Sequence, residues 1–247
     1  MCGRYQLALP GRSLAALLDA QLGAFSTAPT WNAAPTQQLP VLALAANGTR
    51  VLDVASWGLV PAWARQPGRE PFKPLINARA ETVATKPAFR EAVRRRRILV
   101  PATGFYEWTG APGHKTPHAI RVRGDVVDLT TGEVGGREAG LDETVAPFLM
   151  AGIAEVWTSP DNVPELNFSI ITTTANELVA PLHSRMPVIL EGEDARLWLE
   201  TPPEASELLM ELLRPFPAER MEEWEVIRDV NNARNDGPHL VDPAGLF

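Results

Sequence analysis

The strand-like runs of this sequence are interrupted by single helical stretches without a regular strand–helix–strand alternation, and that order favours one α+β domain over a doubly wound parallel sheet. ILVPATGFYEW (98–108) and HAIRVR (118–123) alternate apolar and polar residues. FLMAGIAEVW (148–157) and LNFSIITTTA (166–175) are rich in β-branched and aromatic residues, the chemistry of a pleated buried surface. PVLALAA (40–46) and RVLDVAS (50–56) flank Asn47–Gly48, which predicts a hairpin. Helices are expected over 13–22 behind a Ser13 cap and over 87–96, with Pro at the start and Arg near the end. Two more are expected from Asp194 and over the acidic, amphipathic stretch 203–216. The tail from Glu223 reads as a strand and then a turn-rich loop. The pattern gives an α+β class and one domain over 1–247, with a Gly-rich acidic surface excursion at about 124–147.

An apolar fraction of 45% supplies a core. No apolar run reaches the length of a membrane span. Arg4 and Pro10–Gly11 interrupt any secretory apolar segment. One cysteine in 247 residues excludes an internal disulfide, so a cytoplasmic protein is expected. With four scattered His and no Gly-rich phosphate fingerprint, neither a metal nor a cofactor is expected. The net charge of −7 hides an asymmetry. Residues 1–123 hold 16 basic and 6 acidic side chains, a balance of +10; residues 124–247 hold 7 and 24, a balance of −17. Either the basic half meets an anionic ligand or the two halves attract each other within one fold.

The one thiol, Cys2, follows the initiator Met1. Removal of Met1, usual before a small side chain, leaves a terminal 1,2-aminothiol. Its free α-amine, with a pKa of about 7.7–8.0, is partly neutral at pH 7 and can form a Schiff base. The thiol then closes a thiazolidine on an aldehyde carbon. The plain alternative is a small buried apolar residue. In LINARAET (75–82), Asn77 and Arg79 share one face of an extended segment, an amide beside a guanidinium that suits a sugar-phosphate. In GFYEW (104–108), Glu107 sits among aromatics, where a carboxylate can act as acid or base. PLHSRMPVIL (181–190) places His183 and Arg185 between prolines, a proton shuttle beside a phosphate binder. In WGLVPAW (57–63), Trp57 reads as core and Trp63 as a candidate stacker on bases. At least two of the four arginines 94–97 read as a solvated helix face. For each of these residues an ordinary structural role is the competing reading.

MCGR, WNAAP (31–35), WGLVPAW, INARAET, GFYEW, HSRMPVIL and VNNARND stand in one order along nearly the whole chain, and in that order the sequence resembles the SRAP family, the SOS response-associated peptidases. The resemblance implies a single α+β domain with a curled, barrel-like, mostly antiparallel β-core and peripheral helices. It implies a protein that shields abasic sites in single-stranded DNA, nucleoid-associated when bound there, with Cys2, exposed by loss of Met1, as the cross-linking nucleophile; a monomer is expected because the acidic helices account for their own polarity without a partner. Asn77 would hold the cysteine terminus and the sugar, and Glu107 and His183 would be the acid–base pair. Arg4, Asn32, Arg79 and Arg185 would line the DNA path, with Trp63 near its bend. The family name records a peptidase activity in self-processing; an abasic-site lyase reaction and a noncovalent single-strand binding module are the further alternatives. Ala64 stands where some relatives carry a second Trp, and Ser184 where many carry a charged or imidazole side chain.

Overall fold

The computed structural model describes residues 2–25, 27–64, 72–111, 113–123, 147–159 and 162–245. The acidic excursion therefore lies outside the described residues, as does most of the loop at 65–74. The chain begins with β1 (Tyr5–Leu7), α1 (Gly11–Leu17), β2 (Gln21–Leu22) and β3 (Thr30–Ala33). The expected hairpin follows as β4 (Gln38–Leu44) and β5 (Arg50–Trp57), antiparallel from Gln38↔Ser56 to Leu44↔Arg50. Gly48 turns it at φ +82°, a left-handed conformation that costs glycine nothing. Then come β6 (Asn77–Arg79), α2 (Arg90–Arg95), β7 (Arg97–Ala102), β8 (Gly104–Thr109) and β9 (Thr116–Val122). The long strands β10 (Phe148–Thr158) and β11 (Pro164–Thr174) precede β12 (Arg185–Pro187), β13 (Ile189–Leu190), α3 (Gly192–Glu200) and β14 (Met221–Glu225).

Five strands close a barrel. β11 pairs β10, β10 pairs β7, β7 pairs β4, β4 pairs β5, and β5 returns to β11 through the parallel contacts Asn167↔Ser56 and Phe168↔Trp57. Closure removes the open edges that a flat sheet would expose. A second sheet runs in the order β14-β9-β8-β1-β3. The architecture is α+β with a barrel core, mostly antiparallel, the parallel pairs being β11 with β5 and β6 and β2 with β5.

The run 98–108, expected as one strand, is two. β7 belongs to the barrel and β8 to the second sheet, and the chain changes sheet at Thr103. The Thr103 N–H donates to the Gln6 carbonyl at 2.7 Å and its hydroxyl accepts from the Ala8 N–H at 3.1 Å, so this one residue staples the sheet change to β1. The first helix starts earlier and ends earlier than expected. Pro10, not Ser13, occupies its cap position, and Asp19 at φ +45° ends the turn so that Gln21 and Leu22 can pair with β5. The second keeps only Arg90–Arg95 behind turns at Pro87. The third begins two residues before Asp194. Residues Pro203–Leu212 wind as a 3₁₀-helix rather than an α-helix.

The main core fills the barrel and the space between the sheets, and a second, smaller one gathers Tyr106, Ala119, Val226, Val230 and Leu240. Trp57 is fully buried, as expected, against Tyr5 (ring centroids 5.2 Å) and Phe168 (6.3 Å, stacked). Burying each such side chain is worth roughly 1.5–3 kcal/mol. The arginine run divides. Arg94 and Arg95 are exposed beside Glu91, whereas Arg96 pairs with Glu155 at 2.6 Å. Arg97 is buried, donating to the carbonyls of Val93, Arg94, Trp198 and Thr201. Part of the charge asymmetry is consumed internally, because Arg50–Glu200, Arg96–Glu155 and Arg123–Glu222 join the basic half to the acidic half. Among the described residues no helix is long and apolar enough to cross a membrane.

Candidate active site

The N-terminus, the first strand of the second sheet and an added strand of the barrel meet at Cys2. The side chain is fully buried. Its carbonyl accepts a 2.8 Å hydrogen bond from Asn77 Nδ2, and its Sγ faces the Arg4 carbonyl at 3.9 Å. Asn77 is delivered by β6, which lies parallel to β11 (Ile170↔Asn77, Thr172↔Arg79). The residue before it, Ile76, accepts from the Trp57 indole N–H at 2.9 Å, so the core fixes the segment. Asn77 Oδ1 is buried without a partner among the described residues. Glu107 enters from β8 and is 3% exposed. Burial first, and then the charge of Glu107, push the Cys2 thiol well above its ordinary pKa, which keeps it protonated at neutral pH.

His183 lies in the turn before β12, half-buried. Its Nδ1 accepts from the Arg185 N–H at 3.0 Å, which leaves the proton of a neutral ring on Nε2. Cys2 and His183 share no hydrogen bond; the sulfur contact is to the Arg4 carbonyl. Arg185 is 9% exposed. Its guanidinium donates to both oxygens of Glu81, and to the carbonyl and hydroxyl of Thr172. Asn32 is 2% exposed and its Nδ2 donates to the carbonyls of Val230, Asn232 and Asn235, while its Oδ1 accepts from Arg4 at 2.6 Å. Arg4 also donates to the Val230 carbonyl at 3.1 Å. Asn32 and Arg4 thus pin the VNNARND segment against β1 and β3. Arg79 and Trp63 differ in being exposed, Trp63 at 58%, with its ring edge-on to Phe72. Gly58, at φ +140°, starts the loop that carries Trp63, and Leu59 pairs with Leu75 at its base.

Sequence reasoning overlooked Glu81, Thr172 and Tyr5. Glu81 was visible as the acid of the INARAET motif; Thr172 carried no signal beyond strand propensity. Tyr5 is fully buried in β1, three residues past Cys2. Among the described residues no cluster of three or more His, Cys, Asp and Glu has the arrangement to hold a metal ion.

The family model described as SOS response associated peptidase (SRAP) matches residues 1–233. The chain belongs to that family. It is 34% identical over 215 residues to the abasic site processing protein YoqW of Bacillus subtilis, covering 87% of this chain and 86% of that one. It is 30% identical over 240 residues to the abasic site processing protein HMCES of Mus musculus, covering 89% of this chain and 66% of that one. A crystal structure of a protein from Bacteroides thetaiotaomicron superposes with a TM-score of 0.78 at 27% identity, over 98% of this chain and 100% of that chain.

Proposed function

We propose that this protein acts as a monomer that captures abasic sites in single-stranded DNA and joins itself to them through Cys2 after Met1 is removed. The observation that carries the reading is the enclosure of Cys2: its side chain is buried and its carbonyl is held by Asn77. An abasic deoxyribose is a masked aldehyde. Glu107 takes the hemiacetal hydroxyl proton as the C1′–O4′ bond breaks and returns it to O4′. The Cys2 amine then adds to C1′ and water leaves, giving a Schiff base, with the amine held by Asn77 Oδ1. Sγ adds to the same carbon, its proton passes to nitrogen, and the five-membered ring closes. The overall change is loss of one water. His183, with its proton on Nε2, donates it to the C1′ hydroxyl that leaves as water and recovers a proton from the nitrogen as the Schiff base forms. Arg79 and Trp63 are the exposed groups suited to phosphate and base; Arg185, Asn32 and Arg4 act by holding the site in shape.

A lyase branch shares the Schiff base and competes with ring closure at that intermediate. A thiol peptidase acting on other proteins draws no support from Cys2, whose sulfur faces a carbonyl instead of an imidazole. The test is a denaturing gel of the protein with an oligonucleotide carrying one abasic site. Wild type gives a shifted band that Cys2→Ala, with Met1 removed, does not; an equal, stable shift from Cys2→Ala contradicts the reading.

A further inference from the structure

The chain has two tyrosines, and both are fully buried. Tyr106 donates its hydroxyl to the Trp31 carbonyl at 2.7 Å. The Tyr5 hydroxyl has no hydrogen-bond partner among the described residues. Buried phenols ordinarily find one, so an orphaned donor calls for an explanation. Its position supplies it. Tyr5 pairs directly with Phe105 in the β1–β8 ladder, so its side chain lies on the sheet face that carries Phe105 and Glu107. The ring rests on Trp57, whose indole is tied to Ile76, the neighbour of Asn77. Tyr5 therefore pairs with the strand that brings Glu107 and reaches the segment that brings Asn77 through Trp57, and it shares the buried cluster with Cys2.

Two buried polar atoms lack partners among the described residues: Asn77 Oδ1, which accepts, on a residue bonded to Cys2, and the Tyr5 hydroxyl, which donates, three residues past Cys2. The Cys2 amine freed by loss of Met1 serves the first. The second needs an acceptor oxygen, and the described residues provide none. We infer that the Tyr5 hydroxyl is a substrate-binding group, donating a hydrogen bond to a sugar oxygen of the captured deoxyribose, O4′ as it is released from C1′. This inference rests on the abasic-site reading above. Burial holds the phenol well above its ordinary pKa, so Tyr5 keeps its proton throughout and acts as a donor, not as a base. The proton that O4′ acquires is the one Glu107 takes from the hemiacetal hydroxyl, so the phenol transfers nothing and the step balances without it.

Tyr5→Phe removes the hydroxyl and keeps the ring on Trp57. Capture rates are measured for wild type and variant, both lacking Met1, with an abasic oligonucleotide and with propionaldehyde, which has no sugar oxygen. The expected result is a roughly threefold to tenfold slower capture of the abasic oligonucleotide by the variant, the size of one neutral hydrogen bond. Propionaldehyde capture, unfolding midpoint and affinity for undamaged single strands stay at wild-type values. Equal rates with the abasic oligonucleotide overturn the inference while leaving the abasic-site reading intact. So does an equal slowing with both aldehydes, which would make Tyr5 a part of the nucleophile's packing. Failure of wild type to capture the abasic oligonucleotide overturns both.

Discussion

Replacing Arg185 with alanine is expected to cost the protein stability and to leave its contacts with DNA phosphates unchanged. The side chain is 11% exposed and its guanidinium is fully engaged, with two bonds to Glu81 and two to Thr172. Hydrogen bonds of a charged group contribute about 1.5–3 kcal/mol each when their partners are buried. Glu81 is 53% exposed and regains water when the arginine leaves, so its share falls toward that of a surface pair. Thr172 is fully buried and has no such compensation. The sum is about 3 kcal/mol, a Tm lowered by roughly 6–12 °C for a chain of this size. Urea unfolding followed by far-UV circular dichroism measures the first quantity. Salt titration of single-strand binding measures the second, because each phosphate that a variant no longer neutralises makes the logarithmic slope shallower by about 0.7. A wild-type unfolding midpoint together with a slope reduced by that amount would refute the reasoning and return Arg185 to the DNA path.

Three further outcomes follow from the same geometry. The bonds from Arg185 hold the Glu81 carboxyl down to about 2 from its ordinary 4.5. A depressed carboxylate adds stability above its ordinary pKa and loses it as pH falls toward the folded value. The urea midpoint of wild type therefore drops between pH 4.5 and 2 more steeply than that of Glu81→Gln, and parallel curves would contradict the pairing. Gly58→Ala places a Cβ 2.7 Å from Pro74 Cβ at φ +140°. It should destabilise by about 1–3 kcal/mol, and a wild-type midpoint in urea unfolding would show that the Trp63 loop does not depend on this conformation. Asn77→Ala removes the bond to the Cys2 carbonyl and should slow single-turnover capture of an abasic oligonucleotide roughly tenfold; unchanged kinetics would make that bond a structural detail.

Local chemistry was legible wherever it was enough to decide the outcome. The Asn47–Gly48 hairpin needed only a residue tolerant of positive φ between two alternating runs. The division of WGLVPAW into a core Trp57 and an exposed Trp63 rested on core tryptophans being the commoner case, and burial bears it out. The break at Thr103 was hidden because ILVPATGFYEW keeps its apolar character across a change of sheet, and the partners that enforce the break, Gln6 and Ala8, lie nearly a hundred residues away. The helices were overdrawn because periodicity does not record where a left-handed Asp19 or a parallel edge strand stops the turn. At the site, residue type revealed Cys2, Asn77, Glu107 and His183 as chemically able. It did not reveal that Arg185 and Asn32 spend their donors inside the fold, because Glu81 and the carbonyls of 230–235 reach them only through tertiary structure. Tyr5 gave no signal at all, since a buried tyrosine becomes informative only when its hydroxyl is found without a partner.

The central claim is that Cys2, as the first residue, closes a ring on the abasic aldehyde. Its most direct test is intact mass spectrometry of the cross-linked product after nuclease trimming, followed by peptide mapping. The account predicts a chain that begins at Cys2, carrying the abasic nucleotide at the mass of the two parts less one water, with both the amine and the sulfur of Cys2 blocked and the adduct stable without borohydride. An adduct on a chain that retains Met1, or one recovered only after borohydride reduction and mapped to a lysine, would contradict it.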